Sequence, residues 1–144
     1  KKEDGILVSQ KVLLTWLIES EEIFHQIEKY ITPEDFSEGL FRKVAELLYE
    51  QYEKHEANPA QIMNHFTDEE EHREVAGLFH TKIKELTTVK EQEKALQETI
   101  LRVKEHSIEE ATKNLDPTDI QGLQRLMNEK RKMQDLRTLH ISIN

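Results

Sequence analysis

The chain has no cysteine and only four glycines and three prolines among its 144 residues. Without cysteine it can form no disulfide, no thiolate nucleophile and no cysteine-ligated metal site, and we expect a reducing, cytoplasmic location. The scarcity of glycine and proline removes the residues that most often interrupt helices. No apolar run approaches the roughly 20 residues that cross a bilayer, so we expect no membrane-spanning segment.

Charged residues make up 34% of the chain and hydrophobic residues 36%. The hydrophobic residues recur mainly every three or four positions, whereas the alternation typical of strands is nearly absent. The clearest amphipathic pattern contains Leu40, Phe41, Val44, Leu48 and Tyr52. The sequence therefore predicts an all-α protein, with a compact bundle of short helices followed by a long helix and a C-terminal helical hairpin.

Every Phe, Tyr and Trp lies before residue 89. Large rings dominate core burial, so we predict the compact bundle at 6–88, with Trp16 as a core anchor. Residues 1–5 are interpreted as a linker remnant, and 89–144 as the connecting helix and hairpin. The absence of an initial Met suggests a domain excised from a longer protein. We expect Ile83 and Leu86 to close the bundle.

The last third of the chain has two long helical patterns, at 89–114 and 118–140. Between them, Asp116 can accept hydrogen bonds from amides that open the second helix, and Pro117 fits its first turn. This arrangement predicts a hairpin corner. An irregular spacing of apolar residues near Ser107 predicts a bend or break in the first of the two helices.

Two helices alone make a thin core, so we expect the apolar stripe of the last helix to be only partly covered. An uncovered apolar stripe usually indicates a binding partner. The candidate partner-binding residues are Leu123, Leu126, Met127, Lys130, Met133, Leu136, Arg137, Ile141 and Ile143.

The formal net charge is -9, which disfavours non-specific binding to phosphate backbones, and we expect no direct nucleic-acid binding. Residues 121–144 nevertheless carry five basic and two acidic side chains. This basic tip could be an ordinary solvated helix face or could steer the hairpin to an acidic partner. Nucleic-acid binding through the tip is a further alternative, which predicts a steep loss of affinity with salt.

Catalytic and metal-binding patterns are sparse. Glu69 and His72 form one Glu-x-x-His pair, whereas di-iron sites in helical bundles need two such pairs and further glutamates. The histidines are scattered, and neither a phosphate-binding glycine loop nor a nucleophile motif is present. We therefore predict no catalytic residue, no metal site and no cofactor, and a protein that is not itself an enzyme.

Residues 31–42 read Ile-Thr-Pro-Glu-Asp-Phe-Ser-Glu-Gly-Leu-Phe-Arg. With the surrounding segment 9–52, they resemble the helical module shared by two bacterial replication domains. These are the N-terminal domain of hexameric replicative helicases and the C-terminal helicase-binding domain of DNA primases. The long helix and hairpin that end this chain resemble the primase arrangement.

The resemblance implies a noncatalytic domain that tethers primase to the hexameric helicase at the replication fork and modulates helicase and priming activity. In that family the hairpin contacts the helicase N-terminal domains, and primer synthesis occurs in other domains. We expect this chain to be monomeric alone. The alternatives are the helicase N-terminal assembly domain, which would self-associate into dimers or rings, and a generic helical adaptor.

Overall fold

The computed structural model describes residues 4–80 and 87–143, which form six α-helices, two 3₁₀ helices and no strand. The α-helices are α1 (Gly5–Glu19), α2 (Glu21–Ile27), α3 (Leu40–Glu53), α4 (Glu69–His80), α5 (Val89–Lys113) and α6 (Ile120–Thr138). The 3₁₀ helices are Pro33–Asp35 and Pro59–His65. The predicted all-α class is confirmed, including the final hairpin. Ile83 and Leu86 lie outside the described residues.

Side-chain caps begin both helices that carry most of the packing. Asp4 Oδ1 accepts a hydrogen bond from the Ile6 amide at 2.9 Å, so Asp4 and Gly5, assigned to the linker from sequence, are the N-cap and first residue of α1. At the start of α5, Thr88 Oγ1 accepts from the Glu91 amide at 3.2 Å, and Glu91 Oε1 accepts from the Thr88 amide at 3.3 Å. This reciprocal capping satisfies amides that have no partner within the helix.

The aromatic residues form the centre of the bundle. Trp16 is buried on α1, as predicted, and Phe24 packs edge-on against Tyr49 with ring centroids 4.8 Å apart. Tyr52 donates its hydroxyl hydrogen to the Leu17 carbonyl, and burial raises the pKa of this phenol to about 12. Tyr49 likewise donates its hydroxyl hydrogen to the Ile31 carbonyl oxygen at 2.7 Å, so both buried phenols have the polar partner that an apolar interior requires.

The hydrophobic core continues past residue 88. Leu96, Ile100 and Val103 of α5 are buried in the same cluster as the aromatic residues, and α1 and α5 form the most extensive helix–helix contact. Leu136 of α6 and Ile141 in the tail belong to this cluster too. The first half of α5 is therefore part of the bundle, although it contributes only aliphatic side chains.

The sequence predicted a bend or break near Ser107; helix α5 is continuous from Val89 to Lys113, so it has no break there. The irregular position has a polar role instead. Ser107 Oγ donates a hydrogen bond to Asp35 Oδ1 at 2.7 Å. The serine therefore faces the bundle and is satisfied there without interrupting the helix.

The hairpin corner differs in detail from the sequence expectation. Helix α6 begins at Ile120, and its cap is Asp119, whose Oδ1 accepts from the Gly122 amide at 3.0 Å. Asp116 instead accepts from the amide and hydroxyl of Thr118, at 2.9 and 2.8 Å, which lowers the pKa of its carboxyl group. Asp116 thus stabilises the turn that precedes the helix.

Candidate protein-docking site

The nine candidate partner-binding residues fall into two groups. Leu126, Met133, Leu136 and Ile141 are buried, and Ile143 is half-buried against the core. The stripe is thus partly covered, as expected, but these five side chains are not available to a partner in this structure, because the inner face of α6 packs on α5 and the tail returns to the core. Leu123, Met127, Lys130 and Arg137 are exposed.

Three large apolar side chains remain on the opposite side of α6. Ile120 is 71% exposed, Leu123 45% and Met127 59%. Their spacing of three and four residues aligns them along one face of the helix. Sequence analysis missed Ile120, although this same spacing connects it to Leu123 and Met127. We define the outer face of α6 as Ile120, Leu123, Met127, Lys130 and Arg131.

The basic end of the outer face is electrostatically unbalanced. Lys130 and Arg131 are exposed, and among the residues placed by the structure their side chains form no ion pair. By contrast, Lys132 pairs with Glu129 at 3.0 Å and Arg125 with Asp119 at 3.8 Å. The outer face therefore leads from an apolar end to uncompensated positive charge.

A buried lysine attaches the middle of α6 to the bundle. Lys104 of α5 is fully buried, and its Nζ lies 3.2 Å from Asp35 Oδ1 and 2.5 Å from Glu129 Oε1. Asp35 also accepts from the Thr32 amide at 2.8 Å and from Ser107. This network joins the Pro33–Asp35 turn, α5 and α6, since each element supplies one charged group.

Glu129 is ionised within this network at neutral pH. Burial alone would raise the pKa of its carboxyl group, but hydrogen bonds from Lys104 and Lys132 outweigh burial and lower the pKa below the usual range. The carboxylate is a better acceptor for two ammonium groups than the neutral acid. Glu129 therefore holds the inner side of α6 in place while the outer face remains free.

A glutamine fixes the C-terminal end of α6. Gln97 Nε2 on α5 lies within hydrogen-bonding distance of three carbonyl oxygens, those of Leu136 at 3.2 Å, Arg137 at 3.3 Å and Leu139 at 3.0 Å. The last carbonyls of a helix have no amide partner within the helix. Gln97 thus acts as a C-cap supplied by a neighbouring helix.

The tail after α6 is held through its backbone. Gln26 of α2 donates to the Ser142 carbonyl oxygen and accepts from the Ser142 amide, both at 2.8 Å. Glu93 of α5 accepts from the Ile143 amide at 2.9 Å. Between these contacts and α6, Ile141 is 2% exposed. The tail therefore reaches beyond α5 to α2.

A cleft of about 890 Å³ lies between the turn near Asp35, the end of α5 and α6. Its lining carries both charge signs, including Glu34, Arg42 and Lys132.

Within residues 4–80 and 87–143, no cluster of three or more His, Asp or Glu side chains could hold a metal ion. Glu69 is exposed on α4.

Comparisons of the chain with protein-family models, curated proteins and solved structures give no match. No helix in the described segments is long and apolar enough to span a membrane. The structure is a helical bundle whose last helix is fixed on one side and presents an apolar and basic face on the other.

Proposed function

We propose that the protein is a noncatalytic binding domain that docks onto a partner protein through the outer face of α6. The observation that carries the proposal is the line of exposed apolar side chains at Ile120, Leu123 and Met127, continued by unpaired positive charge. In the arrangement that the structure shows, Lys104 and Gln97 hold the inner side of α6, so docking on the outer face of this form costs little conformational freedom.

The size of the apolar contribution constrains the chemistry of the partner. Complete burial of an aliphatic side chain contributes about 1.5 to 3 kcal/mol, so the exposed fractions of Ile120, Leu123 and Met127 together correspond to about 3 to 5 kcal/mol. Association costs at least about 4 kcal/mol in lost translation and rotation. Further contacts are therefore needed, and the exposed Lys130 and Arg131 beside the apolar residues favour an acidic partner surface.

We further propose that the partner is the N-terminal domain of a hexameric replicative helicase and that this chain is the helicase-binding domain of a bacterial primase. The resemblance of residues 31–42 to that module carries this assignment. It is supported by the sequence of a helical bundle, a long helix and a final hairpin. In this role the domain would tether primase to the helicase and modulate both activities.

The test is isothermal titration of the full chain into purified helicase N-terminal domain. The variant Ile120→Ser/Leu123→Ser/Met127→Ser removes the apolar anchors without touching the core. We expect its affinity to fall at least about tenfold, since about 1.4 kcal/mol corresponds to a factor of ten. The matched control is Leu7→Ser/Val8→Ser, which alters exposed apolar residues on α1 and should retain wild-type affinity within about twofold.

Equal binding by the triple variant and the wild-type chain would show that the outer face is not the docking site. Binding by neither would remove the helicase as partner. Sedimentation of the chain alone addresses the alternative of a helicase assembly domain, because that domain would form dimers or rings without an added protein. Deletion of residues 104–144 would not test the outer face separately, because it also removes Lys104 and the buried Leu136 and Ile141.

A further inference from the structure

Among the described elements, helix α6 packs mainly on a single helix of the bundle, α5, and the ion pair between Lys104 and Glu129 holds its middle. No aromatic side chain occurs after residue 88, so α6 buries only the side chains of Leu126, Met133 and Leu136. A segment with limited burial belongs to the part of a protein that opens locally before the core unfolds.

Three polar side chains supply the attachment at the end of this segment. Gln97 caps the last carbonyls of α6, Gln26 forms two hydrogen bonds with the Ser142 backbone, and Glu93 accepts from the Ile143 amide. Gln26 lies on α2, whereas Glu93 and Gln97 lie on α5. It therefore ties the tail to a second element of the bundle.

We propose that Gln26, Glu93 and Gln97 form a latch, and that release of this latch lets α6 and the tail open from α5 as one unit while α1 and α3 remain folded. This inference goes beyond the proposed function and holds whatever the partner is. The consequence of this opening for partner binding rests on the proposed docking function. In the open form, Leu126, Met133 and the other inner residues become available to a partner.

Leu126, Met133 and Leu136 on α6 and Ile141 in the tail are all buried in the closed form, so a partner could reach them only in the open form. A latch made of side-chain hydrogen bonds is suited to reversible release, because each bond contributes little net stability and is replaced by water on opening.

Amide hydrogen exchange measured by NMR on the full chain tests the latch without a partner. In the wild-type chain, the α6 amides from Leu126 to Leu136 should exchange through an opening of lower free energy than the amides of α1 and α3. Gln26→Ala removes two hydrogen bonds, each of which corresponds to about a two- to tenfold change in the opening equilibrium. Exchange of the α6 and tail amides should accelerate together, and exchange in α1 and α3 should not change.

Gln61→Ala is the matched control, because Gln61 is exposed in the 3₁₀ helix Pro59–His65, and it should leave all exchange rates unchanged. Glu93→Gln weakens one contact of the latch and should reproduce the Gln26→Ala pattern with a smaller acceleration. Equal acceleration in α1, α3 and α6 would overturn the inference. So would acceleration confined to the Ser142 and Ile143 amides, since the tail would then fray without α6.

The exchange rates of the wild-type chain test the latch even if a variant fails to fold. If α6 amides exchange only through the same opening as α1 amides, α6 is not a separate unit and there is no latch. This outcome is distinct from failure of the proposed docking function, which is measured by titration with the helicase domain. A rigid α6 could still dock through its outer face.

Discussion

Replacement of Lys104 by methionine should be among the most destabilising single substitutions in this chain. The ammonium group is fully buried between Asp35 and Glu129, and the Asp35 side chain is only 3% exposed. Methionine fills a similar volume but removes the positive charge. Asp35 keeps its hydrogen bonds from Thr32 and Ser107, yet its carboxylate is left buried without a counter-ion.

The expected loss of stability follows from leaving the Asp35 carboxylate buried without its counter-ion. Breaking a buried ion pair by removing one partner typically costs about 3 to 5 kcal/mol in the free energy of unfolding. Glu129 adds less to this cost, because its side chain is 30% exposed and can be hydrated. Removing the second charge as well, in Lys104→Met/Asp35→Asn, should restore roughly half of the loss, since no buried charge then remains unpaired.

Urea denaturation at neutral pH, monitored by circular dichroism, gives the free energies of unfolding. The four proteins compared are the wild-type chain, Lys104→Met, Asp35→Asn and the double variant. The double-mutant cycle isolates the coupling between Lys104 and Asp35. We expect the double variant to be more stable than Lys104→Met alone. Additive losses, with the double variant the least stable, would refute the assignment of Lys104 as the counter-ion of Asp35.

The remaining predictions concern two glycine substitutions and the pH dependence of stability. A Cβ atom on Gly122 would lie 2.5 Å from Asp119 Oδ2, whereas nothing lies within 4 Å of a Cβ on Gly77. Thermal unfolding should therefore show Gly122→Ala destabilised, by about 1 kcal/mol through loss of the cap. Gly77→Ala should instead be stabilised by about 0.5 to 1 kcal/mol, and a stabilised Gly122→Ala chain would contradict the cap geometry. For Glu129, a lowered folded-state pKa means that its stabilising effect is present above the usual value of 4.5 and is lost as pH falls through the folded value. Acid titration should thus destabilise the wild-type chain more steeply than Glu129→Gln, and identical profiles would argue against the interaction.

Local sequence signals predicted the secondary structure well. The three- and four-residue spacing of apolar residues predicted the helices because an amphipathic helix needs one buried face. Trp16 was correctly placed in the core, and the 89–114 pattern predicted α5 to within one residue of its end. These features depend on neighbours along the chain, which the sequence shows directly.

Features that depend on distant contacts were not predicted. The burial of Lys104 requires Asp35, 69 residues away in sequence, and lysine is usually exposed. The tail has no helical spacing from which the burial of Ile141 could be inferred, because Gln26 and Glu93 hold it through its backbone. For the same reason, the sequence did not separate the buried apolar residues of α6 from its exposed ones, and it predicted both as one partly covered stripe.

NMR titration of the isotopically labelled full chain with unlabelled helicase N-terminal domain measures which residues contact the partner. If the outer face of α6 is the docking site, the largest chemical-shift changes occur at 120–131, with Ile120, Leu123 and Met127 among the affected residues. Saturable changes confined to α1–α4 with an unaffected α6, or no changes at all, would contradict this assignment.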